Sequence, residues 1–97
     1  MTDPIDVKVV HNPAEKRFEV SLNGETALME YMLAGTNMIF THTEVPPAFE
    51  GQGIGNQMAH YGLTYAREHG YRVQALCPFV AAFVKRHKEY QDITWGY

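Results

Sequence analysis

At 97 residues the chain has material for one hydrophobic core, so a single domain spanning residues 1–97 is expected and any site must sit on that one small body. Hydrophobic residues make up 45% and charged residues 20%, which excludes a disordered chain. The net charge of −3, with Lys85, Arg86 and Lys88 as the one basic cluster, argues against nucleic acid as the main partner, because binding a phosphate backbone needs a concentrated basic face.

In chain order, Ile5 to His11 is valine-rich and partly alternating, which predicts a strand ending at Asn12-Pro13. A hairpin follows. Phe18, Val20 and Leu22 share one face of a second strand, and Asn23-Gly24 signals a tight turn into a third, Thr26 to Leu33. There Ala27, Met29, Tyr31 and Leu33 fall on one side, and Gly35-Thr36-Asn37 supplies the next turn. A fourth strand, Met38 to Val45, runs into Pro46-Pro47. Beyond the prolines the period changes from two to about 3.6, with Ile54, Met58, Tyr61, Tyr65 and Ala66 marking a helix that Gly70 stops. Tyr71 to Leu76 reads as a short buried strand, and Pro78 to His87 as a second helix with Val80, Phe83 and Val84 inward. The fold class is therefore α+β, a mixed and mainly antiparallel sheet of about five strands with two helices.

Gly51, Gly53 and Gly55 lie between a strand and a helix, where exposed backbone N–H groups and the positive end of the helix dipole can bind a phosphate. Glycine lets such a loop bring its backbone close to an anion. The same residues also fit an ordinary flexible turn, so context has to decide. A P-loop is excluded, because Asn56-Gln57-Met58 follows where Lys and Ser or Thr would be required. A dinucleotide fingerprint would follow the first strand of a parallel sheet, whereas this turn follows the fourth strand of an antiparallel meander.

Thr41-His42-Thr43-Glu44-Val45-Pro46-Pro47 followed by Glu50-Gly51-Gln52-Gly53-Ile54-Gly55 resembles the fourth strand and acetyl-CoA loop of GNAT acetyltransferases. With Leu76-Cys77-Pro78-Phe79-Val80 and Arg86-His87-x-x-Tyr90 added, the chain is similar to the short GNAT subgroup of one-domain proteins. The resemblance implies a GNAT-like fold and transfer of an acetyl group from acetyl-CoA to an amine. It carries Gly51, Gln52, Gly53, Ile54, Gly55 and Asn56 over as pyrophosphate-binding positions and Val45 as a contact for the pantetheine arm. One position departs from the family pattern: Glu50 stands where Gln or Arg is usual, and an acid there opposes an anion.

In that fold the fourth and fifth strands part near their ends, and the resemblance places the reacting carbonyl in the gap. Here those ends carry His42 and Glu44 on one side and Cys77 on the other. Cys77, just before Pro78, fits two readings: a small buried strand-end residue, or a thiol activated at a helix N-terminus, for which the resemblance implies a role as nucleophile or as proton donor to the coenzyme A thiolate. His42 and Glu44 share a strand face, which fits either a surface pair or a base for the incoming amine; position favours His42. Lys85, Arg86 and His87 suit a solvated helix end, with contact to the 3′-phosphate of coenzyme A as the alternative. His60 and His69 are too far apart along the helix to share a metal, so no metal site is expected.

Cys77 is the sole cysteine, which rules out an intramolecular disulfide and fits a reducing cytoplasm. Met1-Thr2-Asp3-Pro4 shows no export signal and no segment is long and apolar enough for a membrane span, so a soluble monomer or homodimer is expected. The helices that build the acceptor site in larger GNAT enzymes have no counterpart between Asn12 and Lys16, so the acceptor site should be open, borrowed from a partner chain or absent. In the last case the protein would be a coenzyme A or acyl-CoA binding module without efficient catalysis. Trp95 and Tyr97 fit either packing of the tail onto the domain or self-association.

Overall fold

A computed structural model describes residues 7–97. The elements run β1 (Val10–Asn12), β2 (Arg17–Leu22), β3 (Glu25–Ala34), β4 (Asn37–Glu44), a single 3-10 turn (Pro47–Phe49), α1 (Ile54–Glu68), β5 (Arg72–Ala75), α2 (Pro78–Arg86), a second 3-10 segment (Lys88–Ile93) and β6 (Thr94–Trp95). They form a six-stranded sheet in the order β1-β2-β3-β4-β5-β6, antiparallel through β4 and parallel from β4 to β6. The α+β architecture expected from the sequence is present, with one strand more than the five anticipated.

Local chemistry explains the meander. Asn23 and Gly24 both have positive φ, 54° and 80°, the signature of a type I′ turn whose twist suits a two-residue hairpin between β2 and β3. Phe18, Val20, Ala27, Met29, Tyr31, Met38, Phe40, Val73 and Ala75 are buried on one face of the sheet. Onto that face pack α1, through Ile54, Met58, Ala59, Leu63 and Ala66, and α2, through Val80, Phe83 and Val84. Both crossovers lie on the same side. The opposite face, with Leu28, Met32, Ile39, Gln74 and Trp95, carries no helix among the described residues and is half-buried to exposed.

One expectation needs correction. Of the first strand, only Val10–Asn12 pairs with β2, and Ile5 lies outside the described residues. Leu33 pairs with Met38 but sits near the hairpin tip, beyond the reach of α1, and is 41% exposed. Tyr61 is likewise 45% exposed, because the buried stripe of α1 passes through Ala59 and Leu63 on either side of it. The tail packs as β6 alongside β5, a strand too short for periodicity to reveal.

An aromatic cluster closes the core near β1. His11 stacks on Phe18 with ring centroids 4.4 Å apart, and its Nε2 is 2.6 Å from the Tyr31 hydroxyl. Burial lowers the His11 pKa and raises that of Tyr31, so the neutral form of each is favoured where the two meet.

Candidate functional site

The site is built where β4 and β5 part. Their parallel ladder holds from Asn37↔Arg72 to Phe40↔Ala75 and ends there, with the N–H groups of Leu76 and Cys77 both donating to the Phe40 carbonyl at 3.1 and 2.9 Å. Cys77 then turns into α2, its carbonyl accepting from Ala81 N–H at 3.0 Å, while β4 continues to Glu44. The β5-facing edge of Thr41 to Glu44 is thereby left without a strand partner.

A β-bulge decides which side chains face the helices. Glu30 pairs with His42 but Tyr31 pairs with Phe40, so Thr41 is an extra residue on β4. Before the bulge Met38 and Phe40 point to the core; after it Thr43, paired with buried Met29, takes that face, and Val45 follows it. His42 and Glu44 turn to the open face, where His42 Nε2 and Glu44 Oε2 lie 3.3 Å apart with side chains 54% and 63% exposed. Strict alternation from Phe40 would have put these two inward.

Thr43 and Val45 line a cleft of about 630 Å³ together with Phe49, Glu50, Gly51, Gly53, Ile54, Gly55, Asn56 and Phe79. The glycines serve it in two ways. Gly51 and Gly53 have φ of 77° and 75°, a left-handed backbone that turns the chain into α1 and that other residues adopt at a cost of about 1–2 kcal/mol. Gly55 is needed for space, since a Cβ there would lie 2.7 Å from Cζ of Phe79. At the start of α1 no side chain caps the helix and the first turn holds no acidic residue, so its orphan N–H groups are available to an anion. These residues fit a pyrophosphate, and the apolar walls of Val45, Phe49 and Phe79 fit an aliphatic arm.

Two neighbouring side chains of the turn go different ways. The Gln52 side chain does not line the cleft: its Nε2 donates to the Ala48 carbonyl at 3.1 Å and its Oε1 is buried. Glu50, by contrast, does line it, as an exposed carboxylate at the mouth.

Cys77 is 3% exposed, and its Sγ lies 3.1 Å from Oγ1 of Thr43. Cys77 and Thr43 are thus brought together, while His42 lies across the sheet from both. Thr43, Phe49 and Phe79 were not singled out from the sequence. For Thr43 the missing signal was the bulge; for Phe49 and Phe79 it was their place beside the glycine turn and the cysteine.

A second cleft of about 670 Å³ lies on the other flank of α1, lined by Val7 to Val9, Gln57, His60, Tyr61, Thr64, Tyr65, Glu68 and Tyr90. It is larger but touches neither the glycine turn nor the parted strands, and the first cleft is the one that joins them. In the lining of the second cleft the Tyr90 hydroxyl lies 3.0 Å from His60 Nδ1 and 3.1 Å from Thr64 Oγ1. Burial, and then the neighbouring His87, lower the His60 pKa. Lys85, Arg86 and His87 close α2 at the end remote from Cys77, where His87 Nδ1 donates to the Phe83 carbonyl at 2.8 Å. Among the described residues no group of three or more His, Cys, Asp or Glu is arranged to hold a metal ion. No helix of the described residues is long and apolar enough to cross a membrane.

A parted β4–β5 pair beside a glycine-rich helix start defines a fold shared with known proteins. Residues 17–93 match the family described as GCN5-related N-acetyl-transferase, and the chain belongs to that family. Protein NATD1 of Bos taurus is 32% identical over 84 residues, covering 84% of this chain and 74% of that protein. NATD1 of Danio rerio is 28% identical over 91 residues, covering 89% and 83% respectively. The NMR solution structure of a GCN5-like protein from Staphylococcus aureus superposes with a TM-score of 0.74 at 23% identity, covering 94% of this chain and 90% of that one. The GNAT-like fold is therefore established.

Proposed function

We propose that the protein transfers the acetyl group of acetyl-CoA to an amine. One observation carries the reading: the glycine turn and the free end of β4 wall the same cleft, so an anion-binding helix start and a parted sheet edge address one ligand. Backbone N–H groups of Gly51 to Asn56 hold the pyrophosphate, with Gln52 contributing through the loop fold, and Val45 lies along the pantetheine arm. The family supplies the chemistry of the thioester; the chain supplies orientation and protons.

In the transfer the amine loses a proton and the departing thiolate gains one. His42, backed by Glu44, is the base for an amine arriving from the open face. Cys77 supplies the proton on the other side of the sheet. Its burial favours the donor role over that of acyl carrier, because an acetylated Sγ would need room that a 3% exposed side chain lacks.

Glu50 at the mouth of the cleft favours a second reading, a coenzyme A or acyl-CoA binding module without efficient turnover. Purified protein incubated with acetyl-CoA and a panel of amines, followed by coenzyme A release and intact mass, separates the two. Release that needs both an amine and Cys77 supports transfer. An acetyl adduct lost in Cys77→Ser would move the mechanism to a covalent route, and binding without release across the panel would leave the binding module standing.

A further inference from the structure

Resting on the acetyl-transfer reading, the geometry points to Thr43 as the residue that meets the departing sulfur, with Cys77 behind it as the source of the proton. Thr43 lines the cleft and Cys77 does not. The thiol sits one layer deeper, 3% exposed, and its nearest polar neighbour is the Thr43 hydroxyl at 3.1 Å. A smaller cleft of about 440 Å³, walled by Thr26, Glu44, Val45, Pro46 and Pro47, also has Thr43 in its lining. The hydroxyl therefore stands where a donor on the helix side and an acceptor at the end of the sheet would meet.

A hydroxyl has one proton to donate and two lone pairs to accept with. Oγ1 of Thr43 accepts the S–H of Cys77 and presents its own O–H to the cleft. As the C–N bond forms and the C–S bond of the thioester breaks, the sulfur electron pair takes the proton of Thr43 Oγ1, which in the same motion takes that of Cys77 Sγ. The amine's proton goes to His42 and from there to solvent, and once coenzyme A has left the cleft the Cys77 thiolate is reprotonated from water through the Thr43 hydroxyl. The amine has lost one proton and the coenzyme A thiolate has gained one, with no oxidant or reductant. The Thr41 bulge is what makes this possible, since without it residue 43 would face away from Cys77.

Because Cys77 is the sole cysteine, the protein has a single S–H stretching band in the infrared, readable without any turnover. The relay requires that band to sit at a hydrogen-bonded frequency, to rise in Thr43→Val and to stay in place in Thr43→Ser. In kinetics, Thr43→Val should lower kcat for coenzyme A release by at least about 100-fold, the scale of lost acid catalysis, with KM for acetyl-CoA within about twofold. Thr43→Ser should restore most of the rate, and Cys77→Ala added to Thr43→Val should cost nothing further. A band at the free S–H frequency in the unsubstituted protein, or a Thr43→Val protein that turns over normally, overturns the relay and leaves acetyl transfer intact. An unsubstituted protein that releases no coenzyme A with any amine overturns acetyl transfer itself, and the relay with it.

Discussion

The two halves of β4 are one strand with opposite duties. From Asn37 to Phe40 it is held between β3 and β5, and its inward side chains, Met38 and Phe40, are fully buried. From Thr41 to Glu44 it keeps β3 but loses β5, and its inward side chain is a hydroxyl. The difference teaches that a single inserted residue can switch a strand from packing to chemistry. The bulge changes which face each side chain takes, and the end of the ladder frees the backbone edge beside it.

The largest expected effect tests that division directly. Phe40→Ala should cost about 3–5 kcal/mol in urea unfolding, through lost burial and the cavity left behind. Thr43→Val, three residues on, should cost about 0.5–1.5 kcal/mol for its single hydrogen bond. Equal costs would break the comparison. Next, Gly55→Ala should destabilise by about 1–3 kcal/mol, because its methyl group meets the Phe79 ring. Phe79→Leu should recover part of that loss, and a double-mutant cycle showing no coupling would remove Phe79 as the cause. At the site end, Glu50→Gln should tighten acetyl-CoA binding by about two- to fivefold at low salt, an advantage that calorimetry should see fade as salt rises.

The smallest effect belongs to the core side. His11 and His60 both titrate below the ordinary 6.5, burial being the larger cause in each. Below that pH the unfolded chain binds more protons than the native one, so stability must fall as the solution is acidified from neutrality. A Tm flat between pH 7.5 and 5.5 would contradict this, and His60→Gln should reduce the slope.

Much of this architecture is written in short-range chemistry. Asn23-Gly24 marks its hairpin, Gly70 ends α1, and the glycines flanking Ile54 announce a helix start open to anions. The bulge leaves no such mark: Thr41 is an ordinary strand residue, and its displacement comes from the pairing of Glu30 and Tyr31 across the ladder. For that reason the titratable His42 and Glu44 stand out in the sequence, while Thr43 between them carries no signal of its own. β6 was hidden for a related reason, since two residues carry no period and gain strand geometry only from β5. Cys77 was legible as a residue of interest, but its depth behind Thr43 is a tertiary fact.

The ring of Phe79 filling the hollow left by Gly55 has a mechanical consequence. It fastens the first turn of α1 to the first turn of α2, so the glycine turn and Cys77 belong to one rigid corner. Anything that quiets the loop must also quiet the helix that Cys77 begins. Amide hydrogen exchange at residues 81–84 should then slow when coenzyme A is added, although none of those residues lines the cleft.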